Sequence, residues 1–532
     1  MTRSVLIVGA GPAAAAAALA ATRESDVRVT VLDIGGQLEE SHQAARARLA
    51  EQEPDDWQPA DLDLITLLPV GGSTQRLPEK RAFGSDFPFR DFGQRAGITT
   101  ADPVNGALVS GAFGGFSNVW GAQVMPFTER TFDDWPVSSD EMRRHYEAVL
   151  REIPFAAEDD DLAGLFPLLA PAEPLPTLSE RSTAVLDRYA RHRQSLNARG
   201  VTMGKARLAM KSSSCVRAGL CMTGCPYSLV YSASQTLDGL RRAGKIEYLD
   251  GLLALRVEED GDSATVVARD VAAGTDHRFT ADRVMVACGA IGSSRLVMSS
   301  LGLFNSPVQV AESTQFMLPF LSARPTADPR GAADFTLNQF NMVVDLDGGH
   351  DVSQLHFYSY NSAFLDALPG PLKAAAAEPL RRAFLKRLTV SLGYLPSWAA
   401  PTFSLTVRPS TTAGGLPEIA LDSDPDPWRK NTFLRQVLGK VSAAAPALDL
   451  WPALPALSLA KPGKSYHWGS TFPHSATPGR TYSSDVLGRV GPWRRVHVID
   501  AAVFPNVPAT TFTLTVMANA HRIAQGALRE GN

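Results

Sequence analysis

The sequence predicts an α/β chain in which a parallel-sheet domain, assembled from separated segments, is interleaved with an α+β domain built on an antiparallel sheet. Three observations carry this. A continuous apolar strand at 5–8 runs through a glycine turn into a helix, and a second strand follows at 27–32. A further apolar strand at 284–287 leads through a small-residue turn into another helix, and a strand at 496–499 precedes a closing helix. Between these lie segments with period-two alternation, the mark of half-buried antiparallel strands. The length of 532 residues exceeds one compact core and fits two large domains.

The first element is "SVLIVGAGPAAAAAALAATRESDVRVTVLD". Gly9 and Gly11 permit a tight turn and close approach of the backbone to a pyrophosphate. Pro12 suits the first helical position, where its missing N–H has no partner to lose. Ala14 stands in the third glycine position, which tolerates alanine for packing of helix on strand. The second strand ends at Asp33, placed to accept hydrogen bonds from a ribose. Strand, glycines, helix, second strand and acid agree on dinucleotide binding. The motif alone does not separate FAD from NAD. The first 21 residues also carry the arginine, apolar run and small residues of an export leader. Gly9, Gly11 and Pro12 interrupt that run, so the segment reads as strand–turn–helix, and a cytoplasmic protein is expected.

Composition narrows the class. Apolar residues make up 45% and charged residues 20%, with a net charge of −4 and no basic block, so nucleic acid is not an expected partner. No apolar stretch approaches the ~18 residues of a membrane span. The basic, partly amphipathic segment 363–395 reads as a packed helix, with a peripheral membrane contact as the alternative. Four cysteines in this length do not make a disulfide scaffold.

Five later stretches carry chemistry. "GAFGGFSNVWGA" at 111–122 is a glycine-rich loop with no strand or helix period. "SCVRAGLCMTGCPY" at 214–227 holds Cys215, Cys221 and Cys225 in the spacing C-x5-C-x3-C-P. A cysteine at Ala218 would complete the run that binds clusters in bacterial ferredoxins. "RVMVACGAIGSSRLVMSSLG" at 283–302 is a buried strand, a turn and a helix. "YHWGSTFPH" at 466–474 brings two histidines into one loop, and "LGRVGPWRRVHVIDAAVFPNVPATTFTLTVMANAHRIAQGAL" at 487–528 closes the chain.

Together these resemble the glucose–methanol–choline family of FAD-dependent oxidoreductases. The resemblance covers both ends and the middle of the chain, and residues 136–205 and 306–455 lie outside it. The loop at 111–122 is similar to the family's G-G-S-S-x-x-W-G loop along the flavin, and the ending to its D-x-S-x-F-P…P-x-L-T-x-M-A-x-A-x-R-I-A segment. The resemblance implies a Rossmann-like FAD-binding domain. It assigns Gly114, Gly115, Ser117, Asn118, Val257, Gly289, Asp500, Ala501 and Thr513 to the cofactor, beside Gly9, Gly11, Ala14 and Asp33. It places His467 on the catalytic histidine of an H-x-x-G-T-x-x-M segment. Here the glycine is shifted to Gly469, and His474 replaces the methionine. Thr511 occupies the place of a second active-site histidine or asparagine. Threonine offers one hydrogen bond and no charge, a departure from the usual two-base arrangement.

The implied reaction removes a hydroxyl proton and a hydride from one carbon of a small-molecule alcohol, a sugar, glycoside or secondary-metabolite hydroxyl. Flavin N5 takes the hydride, and oxygen or an electron-acceptor partner takes the electrons onward. A histidine neutral near pH 7 suits the proton. Among ten histidines, His467 is expected as the base and His474 as the reserve. His356, on a strand of the second domain, is placed to line the pocket. His42, His145, His192, His277, His350 and His497 read as surface residues, and His521 as a packing or solvent residue on the last helix. The closing helix, starting near Thr513, would favour negative charge beside the flavin through its N-terminal dipole.

The expected organisation is 1–135, 206–305 and 456–532 for the FAD-binding domain, and 136–205 and 306–455 for the substrate domain. Strands are expected in "FTLNQFNMVVDLDG", "SQLHFYSYN" and "FSLTVRPSTTAGGLPEIALD", all in one antiparallel sheet, and amphipathic helices at 140–153 and 181–199. The cysteine run offers the three thiolates of a [3Fe-4S] cluster, which would give the flavin an electron exit. A metal-free loop packed beside the flavin domain is the preferred reading, with Cys288 a packing residue. The rival functions are a non-redox flavoprotein lyase using the same pocket and an electron-transfer subunit needing a partner.

Overall fold

A computed structural model of the chain describes residues 2–66, 81–90, 109–350, 352–361, 370–412, 415–423, 431–477, 479 and 482–530. The fold is α/β with separate parallel and antiparallel sheets. Five parallel strands form the first sheet, in the order Val496–Val498, Arg283–Val286, Arg3–Val8, Val27–Leu32, Ile246–Leu249. The four predicted strands are all in it. The edge strand Ile246–Leu249 escaped prediction because its sequence, "IEYL", is too short to show a period.

The Pro12–Ala21 helix lies on this sheet, and eight of its alanines are buried. Their methyl groups let it pack closely against the C-terminal helix Thr513–Arg529. A three-stranded antiparallel meander, Leu252–Asp260, Ser263–Asp270 and Asp276–Ala281, follows the edge strand and had no counterpart in the prediction.

The antiparallel sheet runs Gln315–Leu321, Leu388–Tyr394, Val352–Tyr358, Asn338–Asp345, Val201–Lys205, with Trp451–Pro452 at its edge. Its two faces differ in kind. Phe340, Met342, Val344, Leu355 and Phe357 point to a second core, shared with the helices Glu180–Asn197 and Thr432–Leu448. The alternate residues Asn341, Gln354, His356 and Tyr358 point the other way, as the two-residue period of a strand requires.

Two expectations are corrected. Phe403–Arg408 and Glu418–Ser423 do not join that sheet; they pair in a four-stranded sheet with Val308–Glu312 and Trp468–Gly469. Residues 363–395 are not one packed helix. The described part holds the short helices Gly370–Lys373 and Glu378–Leu385, in which only Leu385 is buried, and then the strand Leu388–Tyr394. Residues 362–369 lie outside the described residues. No helix among the described residues is long and apolar enough to cross a membrane.

Candidate active site

One cavity joins the C-terminal edge of the parallel sheet to the polar face of the antiparallel sheet. At the parallel-sheet end Gly9 has φ +104°, and a Cβ there would stand 2.5 Å from the Ala287 carbonyl oxygen, so only glycine fits. A Cβ on Gly11 would meet nothing within 4 Å, which leaves open space above the turn. Gly115 abuts the same turn, since its Cβ would lie 3.2 Å from Gly11 Cα.

Three helices start at this cavity: Pro12–Ala21, Gly289–Ser300 and Thr513–Arg529. None has a side-chain cap, and none carries an acid in its first turn. Three positive dipole ends therefore face one space, that of the Gly289–Ser300 helix already met by the Asp500 carboxyl at the Gly289 N–H. An electron-rich ligand, above all a pyrophosphate, suits that field.

Two carboxyls sit among these termini. Asp33, buried at the end of its strand, accepts from Gly35 N at 3.1 Å and Tyr248 Oη at 3.2 Å. Burial pushes its pKa up to about 7, against the pull of those hydrogen bonds. Asp500 accepts from Ser293 Oγ at 2.5 Å and Ala502 N at 3.0 Å, and burial raises it to about 6. Ala501, Gly289 and Thr513 line the cavity with them.

Of the 111–122 loop, Gly115 and Ser117 line the cavity. Gly114 and Asn118 stand behind it. Gly114 has φ +95°, and Asn118 Nδ2 donates to the carbonyls of Phe113 at 3.0 Å and Gly115 at 2.9 Å, holding the loop in shape. Ala14 is buried within its helix and is absent from the cavity wall. Val257 is likewise not on it; its N–H donates to Ser300 Oγ at 2.8 Å, and Leu252, Leu253 and Ala254 stand at the wall instead.

Arg295 was missed. It is buried on the Gly289–Ser300 helix and lines the cavity, and its Nη2 donates to the Ala254 carbonyl at 2.6 Å. Its Nη1 is buried with no hydrogen-bond partner. An arginine among small and apolar neighbours in "GAIGSSRLVMSS" was the available signal. The open space at Gly11, the three uncapped helix termini and this orphaned donor fit a dinucleotide such as FAD.

His467 stands at the other end. Its ring stacks on Tyr394 at 4.9 Å and 18°, and lies 4.7 Å from the Phe512 ring. Its segment is held by Glu312, a fully buried acid that accepts from Gly463 N at 2.8 Å and Ser465 N at 3.0 Å. Ser313 N also donates to the His467 carbonyl at 3.0 Å. Tyr466 and Ser470 flank this turn with φ of 63° and 65°, left-handed values that cost non-glycine residues ~1–3 kcal/mol each. Glu312 was not anticipated; an acid inside the apolar strand "VQVAE" was the clue.

Thr511 lines the cavity, and its Oγ1 is buried without a hydrogen-bond partner. His356 lines it as well, 5.0 Å from Tyr394 on a buried strand. His474 does not. Its Nδ1 meets the Asp485 carbonyl at 2.6 Å, its Nε2 lies 3.2 Å from Asn519 Nδ2, and burial pushes its pKa down to about 3.

Two further histidines differ from expectation. His497 is fully buried in the parallel sheet, with Nδ1 2.9 Å from the Leu487 carbonyl. His145 is half-buried and meets His521 Nδ1 to Nδ1 at 2.9 Å. Polar neighbours in sequence misled in both cases, because tertiary packing covers these positions.

Among the described residues no three His, Cys, Asp or Glu side chains form a group that could hold a metal ion. The three-iron expectation at Cys215, Cys221 and Cys225 therefore has no support. Burial raises the pKa of all three thiols, that of Cys221 to about 11. Cys221 Sγ accepts from Thr336 N at 3.4 Å, and Phe83 fills the space where a Cβ on Gly224 would stand. The loop packs against the cavity wall, to which it contributes Met222.

No protein-family model matches the chain, and no curated protein matches it in sequence. Many solved structures share its fold, and two of them align over nearly the whole length. Pyridoxine 4-oxidase from Mesorbium loti aligns with a TM-score of 0.60 and 14% identity, over 98% of this chain and 99% of that one. A formate oxidase from Aspergillus oryzae RIB40, in a variant made to test FAD modification, aligns with a TM-score of 0.61 and 12% identity, over 99% and 98%.

Proposed function

We propose that the chain is an FAD-dependent oxidoreductase of the glucose–methanol–choline family that oxidises the hydroxyl of a small-molecule alcohol. The observation that carries this is the single cavity, with Gly9, Asp33 and three uncapped helix termini at one end and His467 at the other. Gly9, Gly11, Asp33, Gly115, Ser117, Gly289, Asp500 and Ala501 hold the cofactor. When bound, FAD supplies the hydride acceptor at its N5. His467 takes the hydroxyl proton, its ring fixed between Tyr394 and Phe512. Thr511 Oγ1 offers the substrate oxygen one hydrogen bond. The N-terminus of the Thr513–Arg529 helix favours negative charge in the same space. The aromatic walls, Tyr358, Tyr394, Tyr466, Trp468 and Phe512, would keep water from the reacting carbon. Oxygen or an electron-acceptor partner would be the terminal acceptor.

The test is the absorption spectrum of the purified protein, then anaerobic addition of primary and secondary alcohols. A flavin spectrum that bleaches is expected. A protein that holds a nicotinamide dinucleotide and no flavin overturns the cofactor; bound flavin that no alcohol bleaches overturns the reaction.

A further inference from the structure

Aromatic rings form a continuous shell around His467. Tyr394 stacks on its imidazole at 4.9 Å, and the Phe512 ring lies 4.7 Å from it. Its neighbours in sequence, Tyr466 and Trp468, stand 6.0 Å apart. Phe116, from the glycine-rich loop, packs edge-on against both, at 5.7 Å and 6.0 Å. All five rings line the cavity. A base must come within about 3 Å of the hydroxyl oxygen it serves. The carbon bearing that hydroxyl, and the group attached to it, therefore lie among these rings.

The polar side chains at this end are largely engaged with one another. Gln123 lines the wall, but its Oε1 accepts from Asn338 Nδ2. Its Nε2 donates to Asn341 Oδ1 at 2.9 Å, with His356 Nε2 at 3.4 Å and Met125 Sδ at 3.7 Å beside it. The remaining polar atoms here are hydroxyls, on Thr511, Tyr358, Tyr394 and Tyr466. Tyr394 Oη already accepts from Gln315 Nε2 at 2.9 Å, from the residue directly opposite it in the strand register. Among the described residues of the wall, charge is confined to Asp33, Arg295 and Asp500, at the parallel-sheet end.

Such a surface discriminates between alcohols. A polyol brings several hydroxyls, and each one gives up water and needs a partner on entry. A ring gives up little water and gains offset and edge-on contacts with the rings already there.

We propose that the substrate is an aryl carbinol, its ring lying among Tyr394, Tyr466, Trp468 and Phe512 while its hydroxyl meets His467. This rests on the alcohol oxidoreductase reading above and narrows its substrate class. The hydroxyl proton passes to His467 and the carbinol hydride to flavin N5, so the alcohol leaves as the aryl aldehyde or ketone.

The experiment reads binding apart from reaction. For binding, the flavin-loaded protein is titrated with benzamide and with cyclohexanecarboxamide, neutral amides that differ in the ring and have no carbinol to oxidise. Flavin absorbance reports occupancy. Benzamide is expected to bind roughly 2- to 10-fold tighter, the worth of an aromatic pair beyond its buried area. Tyr394→Leu should narrow that ratio, and Tyr394→Phe should keep it. Equal affinities in the wild type, or a ratio that Tyr394→Leu leaves unchanged, overturn the proposal. For reaction, benzyl alcohol and glucose are each mixed anaerobically with the holoenzyme. Benzyl alcohol should bleach the flavin roughly 10- to 100-fold more efficiently, the cost to glucose of leaving a hydroxyl unpaired. If other alcohols bleach the flavin and benzyl alcohol does not, the functional reading stands and the proposal falls. If no alcohol bleaches it, the functional reading falls and takes the substrate class with it.

Discussion

Burial holds the Asp33 carboxyl at a pKa of about 7, so near neutrality it is divided between acid and anion. In the proposed site ribose hydroxyls would donate to the anion, so binding of FAD would lower this pKa and release a proton. FAD affinity should therefore rise with pH up to about 7 and level off above it. Quenching of flavin fluorescence across this range measures it, and Asp33→Asn should flatten the curve. An unchanged slope in that variant would assign the proton to Asp500, raised to about 6. In the chain without FAD the sign is opposite. The raised pKa favours the folded state below the unfolded value of ~3.9, and that contribution is lost as pH climbs through the folded value. For His467, replacement by alanine should leave FAD bound and slow flavin reduction by roughly 10²–10⁴-fold, the usual loss of a general base. Stopped-flow absorbance checks it. A full rate in His467→Ala would remove His467 as the base.

The 463–468 turn and the poly-alanine helix show how whole elements serve the site. Two backbone N–H groups of the turn are satisfied by Glu312 alone, deep in the protein. Glu312→Ala leaves both unpaired, at ~1–3 kcal/mol each, and frees the turn that carries His467. The variant should melt lower and reduce its flavin slowly while still binding it. Unchanged reduction would mean that strand pairing of Trp468–Gly469 with Val308–Glu312 suffices to place His467. The Pro12–Ala21 helix is placed by the smallness of its side chains between the sheet and the C-terminal helix. Ala14→Leu adds volume where none is free and should cost ~1–3 kcal/mol, seen as a lower Tm with loss of flavin.

At the scale of the molecule, the cavity lies between two bodies with separate cores, one under the parallel sheet and one behind the antiparallel sheet. A dinucleotide bound as proposed would meet residues of both walls. FAD at 100 times its Kd should stabilise the fold by ~2.7 kcal/mol, and the Tm should rise with FAD concentration. Riboflavin, lacking the ADP half that the proposal assigns to the glycine turn and Asp33, should raise it less. An equal rise with both would place the binding energy at the His467 end.

The parts that sequence made legible are those set by neighbours along the chain. The strand at 5–8, the turn at Gly9 and Gly11, the Val27–Leu32 strand with Asp33, and the closing helix from Thr513 all follow from short-range rules. Those rules are apolar runs, backbone freedom at glycine, and the fixed torsion of proline. The motif pointed to His467 and the strand alternation to His356, and both line the cavity. What sequence could not supply was proximity. Arg295 and Glu312 went unread, because only the folded chain shows that they are buried. Gln123 meets His356 and Asn341 across more than 200 positions of chain. His474 and His467 share one short loop, yet that loop turns one into the cavity and the other away. Local pattern decides which face of an element is apolar. Which elements then share a wall is decided by strand pairing and core packing between distant segments, and only the folded chain holds that information.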